Sequence, residues 1–160
     1  MKILLPVMST YGTAEAARKA VEEAKKENGS IKLIRVIRPG EIQAFKRNVR
    51  LWRYSDGSIL NGSGPLVDDG EAERKMVMRA AGVIASVIDG LNCKDVKMET
   101  EVLIGNPAAE IVRAARRENA GLIVMGKRGH SEFLNMLFDS TIRRVVSKSP
   151  CPVMVVGPDE

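Results

Sequence analysis

Gly121-Leu122-Ile123-Val124-Met125-Gly126-Lys127-Arg128-Gly129 is the stretch from which the rest of the chain can be read. Leu122 to Met125 is a continuous apolar run between glycines, the pattern of a strand covered on both faces. Gly126-x-x-Gly129 follows, where two missing side chains let the backbone turn sharply and come close to a ligand. After a linker from His130 to Phe138, Asp139-Ser140-Thr141 opens a second helical pattern that runs on through Val146. A strand, a glycine turn and a helix start brought together make an anion cradle from main-chain N–H groups and the helix dipole.

The chain before this stretch repeats a simple alternation. Ile3 to Val7 is an apolar run that reads as a central buried strand, and Met8 to Thr13 is a polar loop ending in a candidate N-cap, Thr13. From Ala14 to Glu27, Ala17, Ala20, Val21 and Ala24 recur at helical spacing, and Asn28-Gly29 ends the helix. Ile31 to Ile37 is a second strand, stopped by Arg38-Pro39-Gly40. A strand, helix and strand in so short a span demand a parallel pair and a right-handed crossover.

Residues 40–69 break the rhythm, and an insertion of that length inside a compact domain calls for an explanation. Asp56-Gly57, flanked by Leu51-Trp52-Arg53-Tyr54 and Ile59-Leu60, predicts a hairpin. The segment therefore reads as an inserted loop or hairpin, packed on its own domain or docked on a partner. From Glu71 to Ile88, Met76, Ala80, Val83, Ile84 and Val87 share a helical face. Val96 to Ile104 reads as a strand. Asn106 then caps a helix with Pro107 at its first position, running from Ala108 to Glu118. After the focal strand and the helix from Ser140, Pro150-Cys151-Pro152 leads into a last strand, Val153 to Val156. This order predicts one α/β domain over residues 1–160, an open parallel sheet with helices on both faces. In such sheets ligands lie beyond the carboxyl ends of the strands, where strand order reverses. With the first strand central, the loops after Val7 and after Met125 flank that point.

Composition narrows the function classes. The chain has 160 residues, 44% hydrophobic and 28% charged, as a soluble globular domain does. Aromatic content of 4% argues against a stacking platform for nucleic acid. No apolar run approaches the ~20 residues of a membrane span, and the N-terminus lacks a signal-peptide layout. Cys93, Cys151 and the single His130 sit in no metal-ligand spacing, so the expectation is two reduced thiols in a cytoplasmic protein. The net charge of +5 includes a basic cluster of Arg38, Lys46, Arg47, Arg50 and Arg53, read either as a solvated loop or as a contact for nucleic acid or an acidic partner, with no base-reading motif beside it.

At these residues the chain resembles the universal stress protein family over essentially its whole length. The similarity rests on the opening strand, loop and alanine-rich helix (Ile3 to Ala24), on Val102-Leu103-Ile104-Gly105-Asn106-Pro107 running into Glu110-Ile111-Val112, and on Ile123-Val124-Met125-Gly126-x2-Gly129-x9-Asp139-Ser140 closed by Ser149-Pro150-Cys151-Pro152 and the last strand. The resemblance implies a five-stranded parallel sheet in order 3-2-1-4-5 and a homodimer joined through Val153 to Val156. It implies a dimeric stress-response binding module with an ATP or AMP cleft, magnesium entering only with the nucleotide. By position, Gly126, Gly129 and Ser140 would hold phosphates, with Lys127, Arg128 and Thr141 in the same cradle. Val36 would meet the adenine, Met125 would line the cleft, and Met8 and Ser9 stand in the loop after the first strand.

Two positions depart from the family's nucleotide-binding pattern. Met8 stands where that branch has an acidic residue, and Asp139 stands at the third glycine of G-x2-G-x9-G-[ST]. A carboxylate ~5 Å from a phosphate, at an effective dielectric of ~20, opposes binding by roughly 3 kcal/mol. Lys127, Arg128 and Arg143 are placed to offset part of it, and Asp139 also makes a good N-cap for its own helix. An alternative is an interaction protein without nucleotide, docking partners through a 46–60 hairpin. A third reading, a weak ATPase, would need Asp139 or Glu132 as general base, and no catalytic triad or P-loop accompanies them.

Overall fold

Five parallel strands form the sheet, and β1 (Lys2–Pro6) is its centre because its side chains have no other place to go. Ile3, Leu4 and Leu5 are wholly buried, and a strand apolar on both faces must be covered on both. The computed structural model describes residues 1–8, 13–46, 69–91, 93–127 and 140–157. β2 (Ser30–Ile37) pairs with one side of β1, Ile3 opposite Ile31, and β4 (Leu122–Gly126) with the other, Ile3 opposite Leu122. β3 (Lys97–Ile104) lies outside β2, and β5 (Val153–Val156) lies outside β4. The order is β3-β2-β1-β4-β5, as the resemblance implied.

Helices cover both faces. On one face, α1 (Thr13–Lys26) and α3 (Asp69–Asp89) pack against Ile3, Leu5, Leu33 and Val124. The buried positions of α1 are mostly alanine (Ala16, Ala17, Ala20, Ala24), so its axis comes close to the sheet. On the other face, α4 (Pro107–Arg117) and α5 (Ser140–Lys148) pack against Leu4, Ile34, Ile123 and Met125.

The insertion does not begin as a loop. Residues 39–46 form a helix, α2, although the Pro39-Gly40 pair was read as the start of an irregular excursion. Pro39 occupies the first turn, where its missing N–H is no loss. Ile42 is buried in a satellite cluster with Ile37, Ala72 and Ala80, and Arg79 lies over the Phe45 ring, 5.5 Å from its centre. The hairpin around Asp56-Gly57 lies outside the described residues.

The helix ends follow recognisable chemistry. Asn106 accepts from the Ala109 N–H at 3.1 Å, with Pro107 behind it, as the sequence predicts. Thr13, expected as a cap, is instead the first residue of α1 and is buried. Both α1 and α4 end on a left-handed asparagine, Asn28 and Asn119, each with φ 49°. The next residue's N–H returns to a carbonyl five positions back (Gly29 to Ala24, Ala120 to Ala115), which satisfies an orphan acceptor. Gly29 is therefore not the left-handed residue of the Asn28-Gly29 pair. It is glycine because a Cβ there would stand 2.3 Å from the Met1 carbonyl oxygen.

At the amino ends of the strands, Lys2 and Lys32 interleave with Glu99, Glu101 and Glu118. Lys2 donates to Glu118 at 2.8 Å, Lys32 lies 3.4 Å from both Glu101 and Glu118, and Arg117 bonds Glu101. The hydrogen bond from Lys2 holds the Glu118 carboxyl below the usual carboxylate range, and the same bond raises the Lys2 ammonium.

Candidate functional site

Parallel strands place every strand's carboxyl end on the same edge, so the ends of β1, β2 and β4 meet side by side. Beyond β1 the ladder continues by one bond, Val7 N–H to the Ile34 carbonyl at 2.7 Å. Beyond β4 it continues likewise, Lys127 N–H to the Val156 carbonyl at 2.7 Å. Gly126 is itself the last strand residue, opposite Val156, so it lies within the sheet and not in the turn it was expected to open.

Alternation along the strands then decides which side chains share a face. Met8, Val36 and Met125 all fall on the α4/α5 side, against one cluster that includes Leu103, Ile142 and Val145. Met8 and Val36 are half-buried, whereas Met125 is wholly buried and supports the floor from beneath. Met8 and Val36 thus leave apolar area, part of it polarizable sulfur, accessible above the buried Met125.

α5 starts at this edge, with Ser140 exposed and Thr141 buried and engaged in a polar contact. The amino end of the helix, the end that favours an anion, therefore lies at this edge. Lys127, the residue after β4, is half-buried and also has a partner. The structure thus gathers Met8, Val36, Met125, Gly126, Lys127, Ser140 and Thr141 at one edge. Ser9, Arg128, Gly129, Asp139, Glu132 and His130 lie outside the described residues.

Arg35 was absent from the residues singled out by sequence. It sits one position before Val36, so its side chain goes to the opposite face, where Nη1 donates to the Val7 carbonyl at 3.1 Å. That bond ties the exit of β1 to β2. Among the described residues the half-buried guanidinium has no carboxylate partner. The signal was available: a charge near the carboxyl end of an otherwise apolar strand.

Among the described residues no group of His, Cys, Asp and Glu could hold a metal ion, and no helix is long and apolar enough to cross a membrane. Cys93 and Cys151 are free thiols packed on opposite faces of the sheet.

Comparison with known proteins gives a consistent result. The model of the universal stress protein family matches residues 1–157. A universal stress protein of Methanocaldococcus jannaschii is 31% identical over 155 residues, covering 97% of this chain and 81% of that protein. A second one from the same organism is 30% identical over 158 residues, covering 97% and 93%. The solved structure of that second protein superposes with a TM-score of 0.69 at 26% identity, over 99% of this chain and 96% of the other. A universal stress protein of Archaeoglobus fulgidus, solved in complex with dAMP, shares the fold with a TM-score of 0.59 at 18% identity, over 97% and 96%.

Proposed function

Since the chain belongs to the universal stress protein family, we propose that it is a stress-response binding protein whose carboxyl-edge cleft takes an adenine nucleotide. The observation that carries this reading is the placement of Met8, Val36 and Met125 on one face of three adjacent strand ends, next to the start of α5. The apolar surface receives the adenine ring. The N–H groups of α5, the Ser140 hydroxyl and Lys127 face the phosphate side, with Gly126 letting the chain approach. The A. fulgidus protein solved with dAMP supports an adenine ligand on this fold. Magnesium arrives with the phosphates, because the described residues offer no carboxylate cluster of their own. Replacement of the family's acidic residue by Met8 removes a polar contact, so the ring is held here mainly by burial and dispersion.

Binding, not turnover, is the activity proposed, in a cytoplasmic protein. The chain works as a homodimer: β5 is an edge strand with half-buried Val153 to Val156, and it pairs only with β4 among the described strands. Light scattering is expected to give twice the mass of 17.5 kDa.

Calorimetry with AMP, ADP and ATP, with and without magnesium, tests the cleft. Saturable binding to the native chain that Gly126→Val abolishes, with the circular dichroism of the folded state retained, supports the reading. Absence of binding, or binding indifferent to that substitution, rejects it.

A further inference from the structure

The outward face of α5 carries an open groove of about 480 Å³ lined by Ser140, Arg143, Arg144, Ser147 and Lys148. These positions recur at intervals of three and four and form one stripe, while Thr141, Ile142 and Val145 on the other side are buried. The helix holds three cations and no acid, and none of the three has an ion-pair or hydrogen-bond partner among the described residues. Helices α1 and α4 pair most of their cations. In α1, Arg18 meets Glu15, Lys19 meets Glu22 and Lys26 meets Glu23; in α4, Arg113 meets Glu110.

Two features of this charge pattern work against the helix. Arg144 and Lys148 repel at four-residue spacing, and Arg143 lies toward the positive end of the dipole, while Lys148 in the last turn suits the negative end. A bound polyanion removes both penalties. Side chains on a helix lean toward its N-terminus, so Arg143 and Arg144 extend over the turn of Ser140, and Lys148 over that of Arg144. The result is a cationic track that begins at Ser140, on the edge of the cleft, and runs about 12 Å along the helix at ~1.5 Å per residue. A single phosphate is too short to use it.

We propose that this groove is a polyphosphate subsite, through which the protein selects adenine nucleotides by the length of their phosphate chain. Arg144 and Lys148 are its specificity-determining residues, favouring triphosphates and longer chains over monophosphates. The inference rests on the nucleotide reading of the cleft, and its test separates the two.

The experiment titrates AMP, ATP and inorganic tripolyphosphate, at one ionic strength, into the native chain, R144Q/K148Q, and R116Q as an exposed cation outside the groove. The native chain is expected to bind ATP roughly tenfold more tightly than AMP, the scale of one charge-assisted hydrogen bond. R144Q/K148Q should bring ATP down to the level of AMP, leave AMP unchanged and lose tripolyphosphate, and R116Q should change none of these. An ATP-to-AMP ratio that survives in R144Q/K148Q, or an equal loss in R116Q, overturns the proposal. If AMP binds while ATP binds no tighter and tripolyphosphate not at all, the groove fails and the cleft stands. If neither nucleotide binds but tripolyphosphate does, through Arg144 and Lys148, the cleft fails and the groove stands as an anion site. If none of the three binds, both fall.

Discussion

The two ends of the sheet are built from the same five strands and behave as opposites. At the amino edge, helix C-termini enter the strands through short connections such as 27–29, 118–121 and 149–152. Lys2 and Lys32 are paired there with Glu99, Glu101 and Glu118, and the two left-handed asparagines fold the chain back on itself. At the carboxyl edge, long connections over 38–68 and 127–139 leave the strands, and α5 presents its N-terminus. Among the described residues Arg35 makes a single bond, Met8 and Val36 are half-buried, and Arg143, near the start of α5, has no counter-charge. Parallel strands enforce this separation, because every helix must start where a strand ends. The negative ends of the dipoles gather on one edge and the positive ends on the other. Among the described residues one edge is satisfied internally, and the other is the edge proposed for the ligand.

The contrast predicts that the amino edge is sensitive in stability and the carboxyl edge in ligand response. The largest effect is expected at Gly29, where a Cβ would collide with the Met1 carbonyl backbone. Gly29→Ala should cost about 2–4 kcal/mol in urea unfolding without changing nucleotide affinity; a loss below 0.5 kcal/mol would show that the edge can open at little cost. Next, Arg35→Met removes a charged donor from the Val7 carbonyl, for a loss of roughly 1–2 kcal/mol. Faster exchange of the Val7 amide, which bonds the Ile34 carbonyl, should accompany it, and unchanged exchange would deny Arg35 its role in holding the exit of β1.

Glu118→Gln should cost about 1 kcal/mol at neutral pH, since the pairs it breaks are only partly shielded from water. Its carboxyl is depressed in the folded state by the hydrogen bond from Lys2. That contribution is complete above the unfolded carboxylate value and is lost as pH falls through the folded one, so the variant should show a shallower acid limb. For Lys2, whose ammonium is raised, the stabilisation is complete below the unfolded lysine value and fades as pH rises through the folded one. An unaltered acid limb in Glu118→Gln would remove Glu118 from the account. The smallest effect is assigned to Arg116→Gln, an exposed cation at neither edge site, within about 0.5 kcal/mol of the native chain.

Much of this architecture was legible from local patterns. The buried run Leu122 to Met125 and the alanine spacing of α1 follow from periodicity alone, and the Asn106-Pro107 start of α4 follows from capping chemistry. The misreadings were also local. Pro39-Gly40 is a turn signal by propensity, but Ile42 and Phe45 make the following residues worth packing as a helix against α3. Asn28-Gly29 names a helix end correctly without saying which residue is left-handed, because the clash with Met1 comes from a neighbouring strand. For the candidate site, the spacing of glycines and Ser140 marked the region. Arg35 escaped because its partner, the Val7 carbonyl, is 28 residues away in sequence.

By itself the sequence determined the alternation of strands and helices and the parallel sheet, and it singled out the edge proposed here for the ligand. Those follow from short-range periodicity and from the one way a strand can return parallel to its neighbour. Only the tertiary structure decided that Met8, Val36 and Met125 share a face, that Lys2, Lys32 and Glu118 neutralise one another, and that the arginines of α5 do not. Strand register and side-chain parity set those outcomes, and both depend on residues far apart in the chain that meet only when the sheet has formed.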